Sequence, residues 1–169
     1  MALEIKNTKT DKANFINYIV YGDSGVGKTS LIKQFTSENV LVLSAEDGLL
    51  SVKDHSVDYV NVKSLQDVKE VIQKLIKDQH KFVFIDSITE LSQNHYIYLL
   101  NKYKKIAAEN RKDVSSYGLK IWGDFGNDFS EVFKELRRLE KTVVAIALEK
   151  EKENEIGQRV YMPDIYGKT

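Results

Sequence analysis

The chain has 169 residues, 42% of them apolar and 30% charged, which suits a folded domain with a sizeable core and excludes a disordered chain. Twenty-five Lys and Arg balance twenty-five Asp and Glu, so net charge gives no pointer to nucleic acid as a partner. Cysteine is absent, which excludes disulfides, thiolate metal sites and a cysteine nucleophile.

The longest strongly apolar run, residues 143–148, is far too short to span a bilayer. Residues 1–6 lack the apolar stretch of a secretory signal, so a soluble, cytoplasmic protein without a membrane partner is expected. A single proline, Pro163, argues against a Pro-rich linker, and residues 1–169 read as one domain.

Aromatic and β-branched residues predict a first strand over 15–21, running into a glycine-rich turn. A helix is expected to open over 30–35. Strands are expected at 40–44 and, more weakly, at 57–62. Leu65, Val68, Ile72, Leu75 and Ile76 recur at helical spacing and predict an amphipathic helix ending near Asp78. His80 is expected at a helix end. A strand follows at 81–86, then a helix over 91–108 with Asn94, His95 and Tyr96 at its surface. Residues 109–121 read as a polar loop. Phe129, Val132, Phe133, Leu136 and Leu139 predict another helix, leading to a strand at 142–147 and one more at 158–162. Strands alternating with helices indicate an α/β fold with a mostly parallel sheet, its apolar strands at 82–85 and 143–148 covered on both faces.

The strongest motif is Gly22-Asp23-Ser24-Gly25-Val26-Gly27-Lys28-Thr29, which satisfies G-x-x-x-x-G-K-[ST] at each fixed position between a strand and a helix. Glycines let the backbone curl so that successive N–H groups face an anion. The helix start at Ser30 adds orphan donors and a positive dipole end. Lys28 brings a full charge to the β- and γ-phosphates, and the Thr29 hydroxyl can ligate Mg²⁺. A carboxylate is also needed near the metal. Asp86, closing the apolar run Phe82-Val83-Phe84-Ile85 with Ser87 beside it, is the candidate, since ligands sit at strand C-terminal ends in open α/β sheets. Glu46, just after the strand at 40–44, is the candidate for directing the attacking water. The competing reading of Glu46 is an acid in a turn made by Asp47-Gly48.

Two other P-loop classes fit less well. A small GTPase would carry a glycine after the acid strand and a guanine-reading carboxylate. Here Ser87, Ile88 and Thr89 follow Asp86, and Asn101-Lys102 leads to Lys104, which cannot accept from the base. A nucleotide kinase would clamp two phosphorylated ligands with several arginines, and this chain has four: Arg111, Arg137, Arg138 and Arg159.

Ser44-Ala45-Glu46 and Val83-Phe84-Ile85-Asp86-Ser87 resemble the catalytic-glutamate and acid strands of the RecA-like ATPases. Tyr21-Gly22, Trp122-Gly123-Asp124, Glu149-Lys150-Glu151-Lys152, Pro163 and Gly167-Lys168 resemble the phage-encoded AAA-type nucleotide-binding proteins, some of them single-strand annealing proteins. The resemblance covers most of 15–168. It implies a three-layer P-loop NTPase of RecA-like architecture that binds ATP with Mg²⁺ and hydrolyses it in DNA recombination or annealing. It further implies single-stranded DNA and a homo-oligomer as partners, with Lys168 reaching a neighbouring protomer's phosphate. Leu148 stands where relatives often carry a polar residue. The chain stops soon after Gly167-Lys168, where relatives continue, so a C-terminally truncated member is expected.

For DNA contact, Lys102, Lys104, Lys105, Arg111 and Lys112 form a basic stretch diluted by Glu109 and Asp113, whereas the turn at 149–159 is acidic overall. Tyr117 and Trp122 could stack on bases or close a core under the loop, and for Trp122 the core is favoured. His55, His80 and His95 share no ligand spacing, so a zinc site is not expected.

Overall fold

A computed structural model describes residues 15–46 and 49–167. The expectations concerning residues 1–6, the Asp47-Gly48 turn and Lys168 lie outside the described residues. Six strands, β1 (Asn17–Gly22), β2 (Val40–Ser44), β3 (Asp58–Asn61), β4 (Phe82–Asp86), β5 (Thr142–Glu153) and β6 (Arg159–Pro163), form one sheet. Its order is β1-β5-β4-β2-β3, every neighbour on this path parallel, while β6 runs antiparallel to the far half of β5. Three helices, α1 (Leu65–Leu75), α2 (Ile88–Glu109) and α3 (Gly118–Arg138), complete an α/β arrangement of the P-loop NTPase kind.

Alternate residues along each central strand face opposite layers, and both sets are apolar. Leu41, Leu43, Val83, Ile85 and Val143 pack against α1 and α3. Val40, Val42, Phe84, Val144 and Ile146 face the other way, against Ile32, Val52 and Phe35. That second layer consists of short 3₁₀ segments, Thr29–Gln34 and Leu50–Val52, where a helix over 30–35 was expected. Thr29, Ser30 and Thr36 are weak helix formers whose hydroxyls compete for backbone groups. Phe35 then turns extended and drops onto Phe82 and Phe84, with ring centroids 4.6 and 5.4 Å away. Burying each such side chain contributes about 1.5–3 kcal/mol, more than another helical turn could.

Ser64 caps α1 by accepting from the Asp67 amide, while Asp67 accepts from the Ser64 amide. Leu65, Val68, Ile72 and Leu75 are buried as the spacing predicts, Val71 joins them, and Ile76 is exposed. The helix ends at Leu75, so His80 does not close it. His80 is buried at the opposite end of the sheet from the glycine-rich loop, its ring between Asp78 and Asp58. Burial alone would raise the Asp78 carboxyl, but the His80 amide and ring, with Lys141 nearby, hold it below the usual carboxylate range.

The largest departure concerns residues 109–121. Only Asn110 to Asp113 is irregular; Val114–Tyr117 is a 3₁₀ turn and α3 has already begun at Gly118. Trp122-Gly123-Asp124 therefore lies inside a helix. Gly118, Gly123 and Gly126 conceal it, since each lowers helix propensity by about 1 kcal/mol. Packing overrides propensity: Ile121, Phe125, Leu99 and Tyr103 are buried together, and Trp122 and Tyr117 pack against them half-buried. The core reading of Trp122 matches this contact, and Tyr117 lies 5.5 Å from Tyr103, ring to ring.

α2 starts earlier than expected because Ser87 caps it, accepting from the Glu90 amide. His95, expected at its surface, is only 2% exposed. It contacts Phe125 and Phe129, and its Nε2 lies 3.0 Å from Asp128 Oδ2. Burial holds the ring below its usual pKa despite the Asp128 carboxylate, with Lys69 and Lys102 acting in the same direction as burial. The unfolded chain thus takes up a proton at higher pH than the folded one. Stability from this site is present above about pH 6.5 and falls as pH falls. Chemical denaturation at neutral and mildly acidic pH should show the wild type losing more stability than His95→Gln. Equal losses would place the acid sensitivity elsewhere.

No helix among the described residues is long and apolar enough to cross a membrane.

Candidate functional site

The parallel register brings the motif residues to one edge of the sheet. Across β1 and β5, Gly22 stands opposite Leu148; across β5 and β4, Ile146 stands opposite Asp86; across β4 and β2, Asp86 stands opposite Ser44. The glycine-rich loop, Asp86 and Glu46 therefore share the C-terminal edge, where an open α/β sheet offers its crevice.

The loop is built on two left-handed residues, Gly25 at φ 80° and Gly27 at φ 93°. Only glycine adopts these angles at no steric cost. Successive reversals turn the backbone inward on a cavity of about 300 Å³. The expected residues Ser24, Gly25, Gly27, Lys28, Thr29 and Ser30 line it, together with Glu46 and Asp86. Gly22, Asp23 and Val26 shape the loop without lining the cavity, and Val26 points to solvent. The segment after the loop is a six-residue 3₁₀ turn, so the donors come from the loop's own curl and a long helix dipole is missing.

Lys28 folds across the loop. Its Nζ donates to the Gly22 carbonyl at 2.8 Å and to the Asp23 carbonyl at 2.6 Å. On the far side Thr29 Oγ1 donates to Asp86 Oδ2 at 2.6 Å, joining the hydroxyl and the carboxylate that the sequence pairs from 57 positions apart. Ser87 Oγ donates to Glu46 Oε1 at 2.7 Å, and Ser44 Oγ donates to the Glu46 carbonyl at 2.8 Å. Glu46 is thus fixed at both its backbone and its side chain.

Sequence reasoning did not find Ser51, which lines the cavity from the 3₁₀ segment after Glu46. It has no motif spacing that would have marked it. Ile146 and Leu148 supply the apolar floor. A second cavity, of about 430 Å³, opens beside Ser44, Lys53 and Tyr59.

Asp86 is 6% exposed, and burial pushes its carboxyl above the usual range. The Thr29 hydroxyl and Lys28 oppose that shift, while Glu46 adds to it. For a carboxyl raised in the folded state, stability is greatest at low pH and is lost as pH climbs through the folded pKa. Asp86→Asn removes the charge and keeps an acceptor for Thr29. In the absence of ligand the variant should melt higher, and differential scanning calorimetry reads the shift. A lower melting point would show that the buried carboxylate is net stabilising.

Among the described residues no group of three or more His, Cys, Asp or Glu side chains is placed to hold a metal ion. The pair Thr29 and Asp86 suits a cation that takes few protein ligands and completes its shell with phosphate and water oxygens, as Mg²⁺ does.

No curated protein matches the chain. A family model described as an AAA domain matches residues 14–169, nearly the whole sequence. With a parallel sheet, a glycine-rich loop at its C-terminal edge and an acid strand facing it, the chain belongs to the AAA domain family of nucleotide-binding ATPases.

Proposed function

We propose that the chain is a single-domain, RecA-like ATPase that binds ATP with Mg²⁺ in the cavity between the glycine-rich loop and β4. One observation carries the reading: the hydroxyl of Thr29 and the carboxylate of Asp86 meet at 2.6 Å beside a loop curled by two left-handed glycines. Amides of residues 23–29 hold the phosphates. Lys28 exchanges its loop carbonyls for phosphate oxygens and neutralises them. Thr29 and Asp86 hold the cation, which when bound withdraws charge from the phosphate oxygens. Glu46 orients a water and accepts its proton as the water attacks the γ-phosphorus; the bond to the β,γ-bridging oxygen breaks, giving ADP and phosphate. Leu148 offers no hydrogen bond to the γ-phosphate, so sensing of that group through β5 is not part of the scheme. Phosphate release from ATP, measured with and without Mg²⁺ and with GTP as competitor, tests the reading. Metal-dependent turnover that GTP inhibits weakly supports it. Efficient turnover of GTP instead would reinstate the GTPase alternative.

A second reading, action on single-stranded DNA in recombination or annealing of the phage type, is favoured by the charge at the far end of α2 and α3. Over residues 101–120 six Lys and Arg face two acids, in a chain of zero net charge. Lys102, Lys104 and Lys105 lie 14 to 17 residues into α2, roughly 21–26 Å along its axis from the end beside the nucleotide cavity. Titration of a fluorescent single-stranded oligonucleotide at two salt concentrations, with and without ATP, checks it. Binding that weakens steeply with salt supports the reading. No binding at low salt would leave an ATPase without a DNA role.

A further inference from the structure

We infer that Ser87 is a positioning residue for the hydrolytic step. The inference rests on the reading of Glu46 as the residue that directs water. The Ser87 hydroxyl has two partners. It accepts from the Glu90 amide at 3.2 Å, which caps α2, and it donates to Glu46 Oε1 at 2.7 Å. Ser87 is 3% exposed and lines the cavity beside Glu46, and both bonds are part-buried. Glu46 itself is exposed and follows the end of β2 in a bend, and among the described residues Ser87 is the hydrogen-bond partner of its carboxylate. The other cavity-lining acid, Asp86, faces Thr29 instead.

One hydroxyl therefore ties the water-directing carboxylate to the first turn of a long helix. The donated hydrogen occupies one carboxylate oxygen and leaves the other free to accept from water. Without it the side chain regains its rotamers, and the fraction of time spent in the productive orientation falls. A misplacement of about 1 Å at a reacting group can cost up to ~100-fold in rate.

The two roles of the hydroxyl separate by substitution. Ser87→Ala removes both the cap and the donor. Ser87→Gly removes the donor and keeps a helix cap to within a few tenths of a kcal/mol. Ser87→Thr keeps both. ATP hydrolysis and melting temperature are measured for each. If Ser87 positions Glu46, Ala and Gly both lower kcat about tenfold or more with KM within about twofold, and Thr restores kcat. If Ser87 only caps α2, Ala alone lowers the melting temperature and kcat is unchanged in both, which overturns the inference. A Glu46→Gln background distinguishes the two failures. Glu46→Gln that turns over like wild type rejects the role of Glu46 itself. Slow Glu46→Gln with unchanged Ser87→Gly rejects the positioning alone. In the doubly substituted chain, Ser87→Gly should add no further loss.

Discussion

Lys28→Ala is expected to weaken ATP binding by about 100-fold or more while leaving the fold intact. A charge-assisted hydrogen bond contributes about 1.5–3 kcal/mol, and the ammonium can donate to two phosphate oxygens at once. Loss of about 3 kcal/mol corresponds to a factor of ~100 in affinity. The Lys28 ammonium now satisfies the carbonyls of Gly22 and Asp23. Both belong to the solvent-edged loop, so water can replace the lost donor and the loop keeps the shape imposed by Gly25 and Gly27. Calorimetric titration with ATP reads the affinity, and circular dichroism and the melting temperature report the fold. Binding within about threefold of wild type would remove the loop from the nucleotide site.

Glu46→Gln should preserve ATP binding and slow hydrolysis by ~100- to 10,000-fold, the range in which a positioned general base contributes. Glutamine matches the size of glutamate and can still meet the Ser87 hydroxyl through its amide oxygen. It cannot take a proton from water. Glu46 follows the end of β2, two residues beyond Ser44, and its carboxylate bonds Ser87, so the substitution keeps the Thr29–Asp86 hydrogen bond and removes only the repulsion between Glu46 and Asp86. Steady-state phosphate release at saturating ATP measures the effect. Equal turnover would assign the water to another group, and weaker binding would mean that Glu46 acts in the ground state.

The order of strands and helices was legible along most of the chain, since apolar strands and amphipathic helices carry periodicities set by backbone geometry alone. The loop residues and acids of the cavity were legible too, because the glycine-rich loop has a fixed spacing and Asp86 ends an unbroken apolar run, whereas Ser51, Ile146 and Leu148 were not. What the sequence concealed was tertiary. The first half of α3 holds three glycines and reads as a loop; the helix exists because Ile121 and Phe125 bury against Leu99 and Tyr103. His95 reads as a surface polar residue, yet α3 covers it and brings Asp128 within reach. β5 extends through the alternating charges at 149–153, since its outer half needs only β6 as a neighbour. The hydrogen bond between Ser87 and Glu46 spans 41 positions, and no local pattern announces it.

A crystal structure of the chain with Mg²⁺ and a non-hydrolysable ATP analogue would show whether the glycine-rich loop holds the nucleotide. The expected result is a triphosphate inside the loop, Lys28 Nζ moved from the Gly22 and Asp23 carbonyls onto phosphate oxygens, and the cation beside Thr29 and Asp86. An analogue bound elsewhere, or a loop still closed by its own lysine at saturating ligand, would contradict it.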